Sequence, residues 1–240
     1  MSQQRQVLIR LFGSFEFLVD DVPQPLAIAG ATKSLLQYLV CFPERQVRRD
    51  LLVEMFWGEI RFDRRRSALN SAIWRIRKAL RLIRGVELDA CTESVALHLS
   101  SNVERDVDQL ASLLQILQTQ GLGDADRSSA LGRLKTALAL CGAPVLDGID
   151  DDWAVIERDR FSELYVKGLT VMMRATAERR CYDDALDYGR QILCIDPFRE
   201  AVFCEVMCLC MMSGQRVKAM RMYECFVVAL DAELGIAPMA

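Results

Sequence analysis

Residues 61–84 read RFDRRRSALNSAIWRIRKALRLIR, nine Arg or Lys against one acid, Asp63, in a chain of 240 residues with a formal net charge of −3. Positive charge gathered on one short segment is the footprint of a surface that meets a polyanion. Leu69, Ile73, Ile76 and Leu80 recur at i, i+4, i+7 and i+11, which aligns them on one side of an α-helix and gives it a stripe to dock on a core. At about 100° per residue, the opposite side carries Arg64, Ser67, Ser71, Trp74, Arg75 and Lys78, with Arg66, Asn70 and Arg77 on a flank. Guanidiniums beside small hydroxyl residues suit a helix pressed into the major groove of a duplex, because Arg is long and bidentate while Ser lets the backbone approach. A solvated basic face is the alternative reading of the same charges.

The flanks favour the first reading. Upstream, residues 33–42 (KSLLQYLVCF, stopped by Pro43) and 49–56 (RDLLVEMF, stopped near Gly58) predict two short amphipathic helices, so three helices stand in series. Downstream, the β-prone runs 86–88 and 95–99, separated by residues 89–94, predict a two-stranded wing. QVLIRLF and SFEFLV on either side of Gly13, followed by DDVPQP, predict a small antiparallel sheet at the N-terminus. The expected fold class is mainly α: a winged helix-turn-helix with a small sheet and wing over residues 1–100, then an all-α domain over 101–240.

The order of these elements, the FWGE after the second helix and the RRRSALNSAIWRIRKAL third helix resemble the DNA-binding domain of OmpR/PhoB-type response regulators. Further along, VERDVDQLASLL, DDWAVIERDRFSEL and the closing SGQRVKAMRMYECFVVALDAELGIAP resemble the bacterial transcriptional activator domain of SARP/AfsR-like regulators, so the resemblance covers almost the whole chain. It implies a cytoplasmic, nucleoid-associated activator acting at direct repeats near promoters, with double-stranded DNA, RNA polymerase and a second copy of the chain as partners. Residues 94–99 depart from the family pattern, lacking the Gly and the Arg of its last wing strand, and Trp74 stands where a smaller or basic residue is usual.

Charge divides the chain as such a regulator requires: fifteen basic and eleven acidic residues fall in 1–100, fifteen basic and twenty-two acidic in 101–240. The second part reads as helix over 106–120, 126–141, 152–180, 182–195, 198–212 and 215–234, broken at Gly121/Gly123, Gly142/Pro144, Pro197 and Gly214. Asp184-Ala185-Leu186 recurs 34 residues later as Lys218-Ala219-Met220, with Gly189 matched by Tyr223 and Leu193 by Val227, the period of tetratricopeptide (TPR) repeats. Met172, Met173, Met207, Met211, Met212, Met220 and Met222 suit either a core or an adaptable docking groove. Met220, Tyr223, Val227, Leu230 and Leu234 form a stripe that suits packing on a twin subunit.

Chemistry-bearing patterns are sparse. The nine cysteines contain no C-x-x-C pair and read as mostly core thiols; Cys204 and Cys208 share a helix face, Cys210 does not, and no metal site is expected. No phosphate-cradling glycine loop occurs, and the one histidine, His98, would have to be recruited from a wing strand for any Ser-His-Asp arrangement. Asp147, Asp150, Asp151 and Asp152 read as caps of the helix that follows. MSQQRQVLIRLFG lacks a signal-peptide core, and the apolar stretch 202–212 is interrupted by Glu205, so no export or membrane insertion is expected. With the winged helix read from the first residues, no phosphoacceptor receiver domain is expected. The expectation is a non-enzymatic, cofactor-free reader of promoter DNA. Its third helix enters the major groove with Arg64, Ser67, Ser71, Arg75 and Lys78 toward DNA, Arg66 and Arg77 hold phosphates, and hairpin 86–99 lies along the adjacent groove. Two other classes fit the same residues: an interaction adaptor with a degenerate winged helix, and a regulator sensing a small effector in its helical domain.

Overall fold

The computed structural model describes residues 5–119, 121–141, 144–146 and 148–237. Two compact units divide the chain: Met1–Ala111 with Leu140–Ser162, and Ser112–Ala139 with Glu163–Ala240.

In the first unit, β1 (Val7–Arg10) and β2 (Glu16–Val19) pair antiparallel, Val7 opposite Val19 and Arg10 opposite Glu16, as the sequence around Gly13 predicts. Two strands of this sheet were not foreseen: β3 (Val22–Gln24) beside β2, and β7 (Val103–Arg105), which runs parallel to β1 and completes the order β3-β2-β1-β7. Three residues with little alternation leave no readable period. The three helices follow as α1 (Ala31–Cys41), α2 (Arg49–Trp57) and α3 (Phe62–Leu80), then the wing strands β5 (Val86–Ala90) and β6 (Ser94–Leu99). A two-residue strand, β4 (Val47–Arg48), joins the wing through β6, giving the order β4-β6-β5. Arg105 closes the end of α1: its Nη1 donates to the Val40 and Cys41 carbonyls at 2.8 and 3.0 Å, while Asp108 holds the other side of the guanidinium. A cation at a helix C-terminus satisfies carbonyls that the helix leaves open and opposes its dipole.

Residues 144–146 pair with the N-terminal segment, Gly13 N–H donating to the Pro144 carbonyl at 3.0 Å and Phe12 bridging Val145. Arg158 holds that loop by donating to the carbonyls of Val145, Leu146 and Ile149 at 3.1, 2.9 and 2.7 Å. Asp106, buried at the start of α4 (Asp106–Gln118), accepts the N–H groups of Leu11 and Phe12, each at 2.9 Å, and of Val107 at 2.8 Å. Burial outweighs those donors and pushes its carboxyl up to about 6.

Beyond α4 the described chain is helical: α5 (Asp124–Leu140), α6 (Asp152–Glu178), α7 (Tyr182–Ile195), α8 (Glu200–Met212) and α9 (Arg216–Leu234). In the second unit, α7 packs tightly on α8 at Gly189, where a Cβ would sit 2.4 Å from Val206 Cγ2. Phe203 of α8 stacks on Phe226 of α9 at 4.0 Å between ring centroids, joined by Leu230. These consecutive antiparallel pairs are the TPR-like helical region. The methionines divide: Met172 and Met173 are buried, Met207 and Met222 pack against the Phe203–Phe226–Leu230 cluster, and Met211, Met212 and Met220 are exposed. The α9 stripe divides too, Met220 and Tyr223 lying in solvent while Leu230 is in the core; the side chain of Leu234 lies outside the described residues.

The cysteine expectation needs correction. Cys41, Cys141 and Cys210 are buried, but Cys91, Cys181, Cys194, Cys204, Cys208 and Cys225 are exposed, so core thiols are the minority. Composition misled because the apolar run around α8 suggests burial all round, whereas that helix faces only part of its surface inward, through Val202, Phe203, Val206, Leu209 and Cys210.

Candidate nucleic-acid interface

The basic segment folds into a 19-residue helix that buries Leu69, Ala72, Ile73, Ile76 and Leu80. Its charges suit its dipole, with Asp63 in the first turn and Arg77 and Lys78 in the last. The entry is braced by Arg65, whose guanidinium donates to the Ile60 carbonyl at 2.8 Å and also to that of Gly58.

Arg64, Arg66, Ser67, Asn70, Ser71, Trp74, Arg75, Arg77 and Lys78 are all exposed, opposite or beside the buried stripe. They are not equally free. Asn70 Oδ1 accepts from Arg49 Nη2, Arg66 pairs with Asp50 at 3.5 Å, and Arg77 Nε reaches the Leu88 carbonyl at 3.4 Å. Trp74 is 62% exposed and lies under Lys78, whose Nζ is 5.2 Å from the ring centroid, a cation–π contact that holds both side chains on the outer face. Arg64 and Arg75 make no ion pair among the described residues.

Two groups absent from the sequence-based site belong to the same surface. Arg49, the first residue of α2, donates its backbone N–H to the Glu93 carbonyl at 2.9 Å, its Nη1 to the Cys91 carbonyl at 3.2 Å and its Nη2 to Asn70. One residue thus ties the wing turn and α3 to the start of α2. Arg48 stands beside it, exposed and 3.9 Å from Asp50, which it shares with Arg66. Together with Glu93 and Ser94 these residues line a groove of about 1070 Å³ between α3 and the wing turn. The signal was the Arg48-Arg49 pair at the head of α2, two cations where a helix dipole favours acids.

The hairpin, residues 86–99, contributes no lysine or arginine. Its exposed side chains include Glu87, Asp89 and Glu93. His98 Nδ1 lies 2.5 Å from Glu44 Oε2, and that hydrogen bond raises the imidazole pKa while lowering that of the carboxyl. Cys91 Sγ, at the wing turn, accepts the Ser94 N–H at 3.4 Å, and its contacts with Ser94 bring the thiol pKa down.

Among the described residues no group of three or more His, Cys, Asp or Glu side chains is placed to hold a metal ion, and no helix is long and apolar enough to cross a membrane. Asp147 lies outside the described residues, and Asp152 occupies the first turn of α6.

No curated protein sequence matches the chain. Among solved structures, Mycobacterium tuberculosis EmbR in complex with a low-affinity phosphopeptide is similar, with a TM-score of 0.80 and 21% identity over 98% of this chain and 62% of that one. That likeness speaks for the fold, a winged helix followed by a helical domain, and the present chain spans 62% of that chain's length. A structure of MamA protein aligns with 74% of this chain and 92% of its own at 15% identity, but its TM-score of 0.29 carries no argument. The bacterial transcriptional activator domain family matches residues 106–240. With more than half of its length matched, the chain belongs to the bacterial transcriptional activator domain family.

Proposed function

We propose that the chain is a sequence-specific DNA-binding activator whose α3 enters the major groove. The carrying observation is the exposure of Arg64, Ser67, Ser71 and Arg75 on the face opposite the stripe that docks the helix, with both arginines unpaired among the described residues. Guanidiniums held only by their helix are available to guanine edges, while the two serines keep the backbone near the bases. Arg66 and Arg77 hold phosphates, and Lys78 with Trp74 meets the groove wall. Because the hairpin lacks lysine and arginine, we assign the second backbone contact to Arg48 at the head of α2, beside Arg66, with the wing contributing its turn backbone. The helical region serves dimerisation and contact with RNA polymerase or another regulator, as the family assignment supports.

The test separates base reading from phosphate holding. Arg75→Ala is expected to cost roughly 1–3 kcal/mol on the preferred duplex and to relax specificity at one base pair, whereas Arg66→Ala weakens all duplexes alike and flattens the salt slope by about one. Equal, sequence-independent losses for both, measured by fluorescence anisotropy across salt concentrations, would remove α3 from the reading role. An adaptor reading draws on the acidic hairpin. For it, reversing the charge of Arg64 and Arg75 would leave promoter activation intact.

A further inference from the structure

We propose that the helical unit carries a two-thiol binding site, Cys204 and Cys208 of α8, for a soft trivalent centre bearing an apolar substituent, the chemical class of a monosubstituted arsenic(III) compound. Both cysteines are exposed, and they border one groove of about 280 Å³ floored by Met173, Ala177 and Leu209. On a helix, residues four apart face the same way, with Cβ atoms about 5–6 Å apart. That is too long for a disulfide, which needs about 3.5–4.5 Å between Cβ atoms, and suited to one inserted atom bonded to both sulfurs. Cys210, two residues on, is buried and does not share the face.

The surroundings select the ligand. Glu205 is the oxygen donor lining the groove, and it is engaged: Arg174 Nε donates to its Oε2 at 3.0 Å and Nη2 to its Oε1 at 2.5 Å. With that carboxylate taken, the thiols are the donors left, which disfavours hard cations that need oxygen ligands and four-coordinate zinc. Three-coordinate arsenic(III) requires two sulfurs and keeps one carbon substituent, and the apolar floor receives that substituent. The reaction balances without a redox step: R–As(OH)₂ and two S–H groups give two As–S bonds, two As–O bonds break, and the thiol protons leave with the hydroxides as two waters. A ring closed across one turn of α8 beside α6 makes this a ligand site in the helical unit, independent of the reading proposed for α3.

The experiment uses the full chain and phenylarsonous acid. Native mass spectrometry in excess 2-mercaptoethanol is expected to show one adduct per chain that survives the monothiol, is stripped by a dithiol, and maps to the proteolytic peptide holding residues 204 and 208. Chelation by two thiols on one scaffold gains roughly 100-fold or more over either alone. Cys204→Ser and Cys208→Ser should each lose that factor, whereas Cys210→Ser keeps it. An adduct that both exposed-site variants retain, or that the monothiol strips from the wild-type chain, would overturn the proposal. If a serine variant unfolds, the wild-type map decides, since arsenic bridging any other cysteine pair also overturns it.

Discussion

At the scale of single residues, two buried or bridged acids organise the first unit in ways that can be measured. Asp106 accepts three backbone N–H groups in a buried site, so Asp106→Ala strands those donors at roughly 1–3 kcal/mol each; urea unfolding at pH 7 should show a loss of that order. Its folded pKa, pushed up to about 6, lies above the ordinary value of 3.8, so the folded state binds the extra proton. The resulting stability is complete below the unfolded pKa and is lost as pH rises through about 6. That component should be missing from the alanine variant. His98 is the chain's one histidine, which makes its titration by NMR unambiguous. Its pKa should lie above the ordinary 6.5 and return toward it in Glu44→Gln; the pair strengthens the wing below the raised pKa and weakens as pH climbs through it. Neither residue was legible from the sequence. Asp106 looks like an ordinary first-turn acid, and the partner that matters lies 95 positions away. The outward residues of α3 were legible because a helix converts spacing directly into direction.

The elements differ in how far their sequences announce them. α3 has a long stripe and opposed charges, and the structure reproduces the stripe residue for residue. β3, β4 and β7 are two or three residues long, and their pairing depends on partners elsewhere in the chain, so local pattern is silent. The exposure of Cys204 and Cys208 was missed for a related reason: apolar composition in α8 counts residues without saying which side they occupy. Gly189 gives the pairing of α7 and α8 its sharpest test. Alanine would gain about 1 kcal/mol of helix propensity, yet its Cβ would meet Val206 Cγ2 at 2.4 Å and Met173 Sδ at 3.3 Å, and a β-branched valine in a helix has little room to turn away. Overpacking of this kind costs about 1–3 kcal/mol. Gly189→Ala is therefore expected to lower the thermal midpoint, and an unchanged or raised midpoint would mean that the two helices are less tightly locked.

For the whole molecule, charge is arranged unevenly, fifteen basic against eleven acidic residues up to position 100 and fifteen against twenty-two after it. The acidic majority therefore says nothing against a polyanion partner, because the basic surface is local. Charge and composition suggest a boundary near residue 100, whereas the first compact unit also takes in residues 101–111 and 140–162. The hydrogen bond from Gly13 to Pro144 belongs to that arrangement, and nothing in either segment alone betrays it. Residues 106–240 belong to the bacterial transcriptional activator domain family, and the winged helix ahead of them is proposed to read sequence. Selection of bound duplexes from a random library, followed by anisotropy titration of the winner against a scrambled duplex at several salt concentrations, addresses it directly. The expected result is a recovered repeated motif, bound roughly a thousandfold or more above scrambled DNA and with a steep salt dependence. Equal, weak binding to both duplexes with no enriched motif would contradict it.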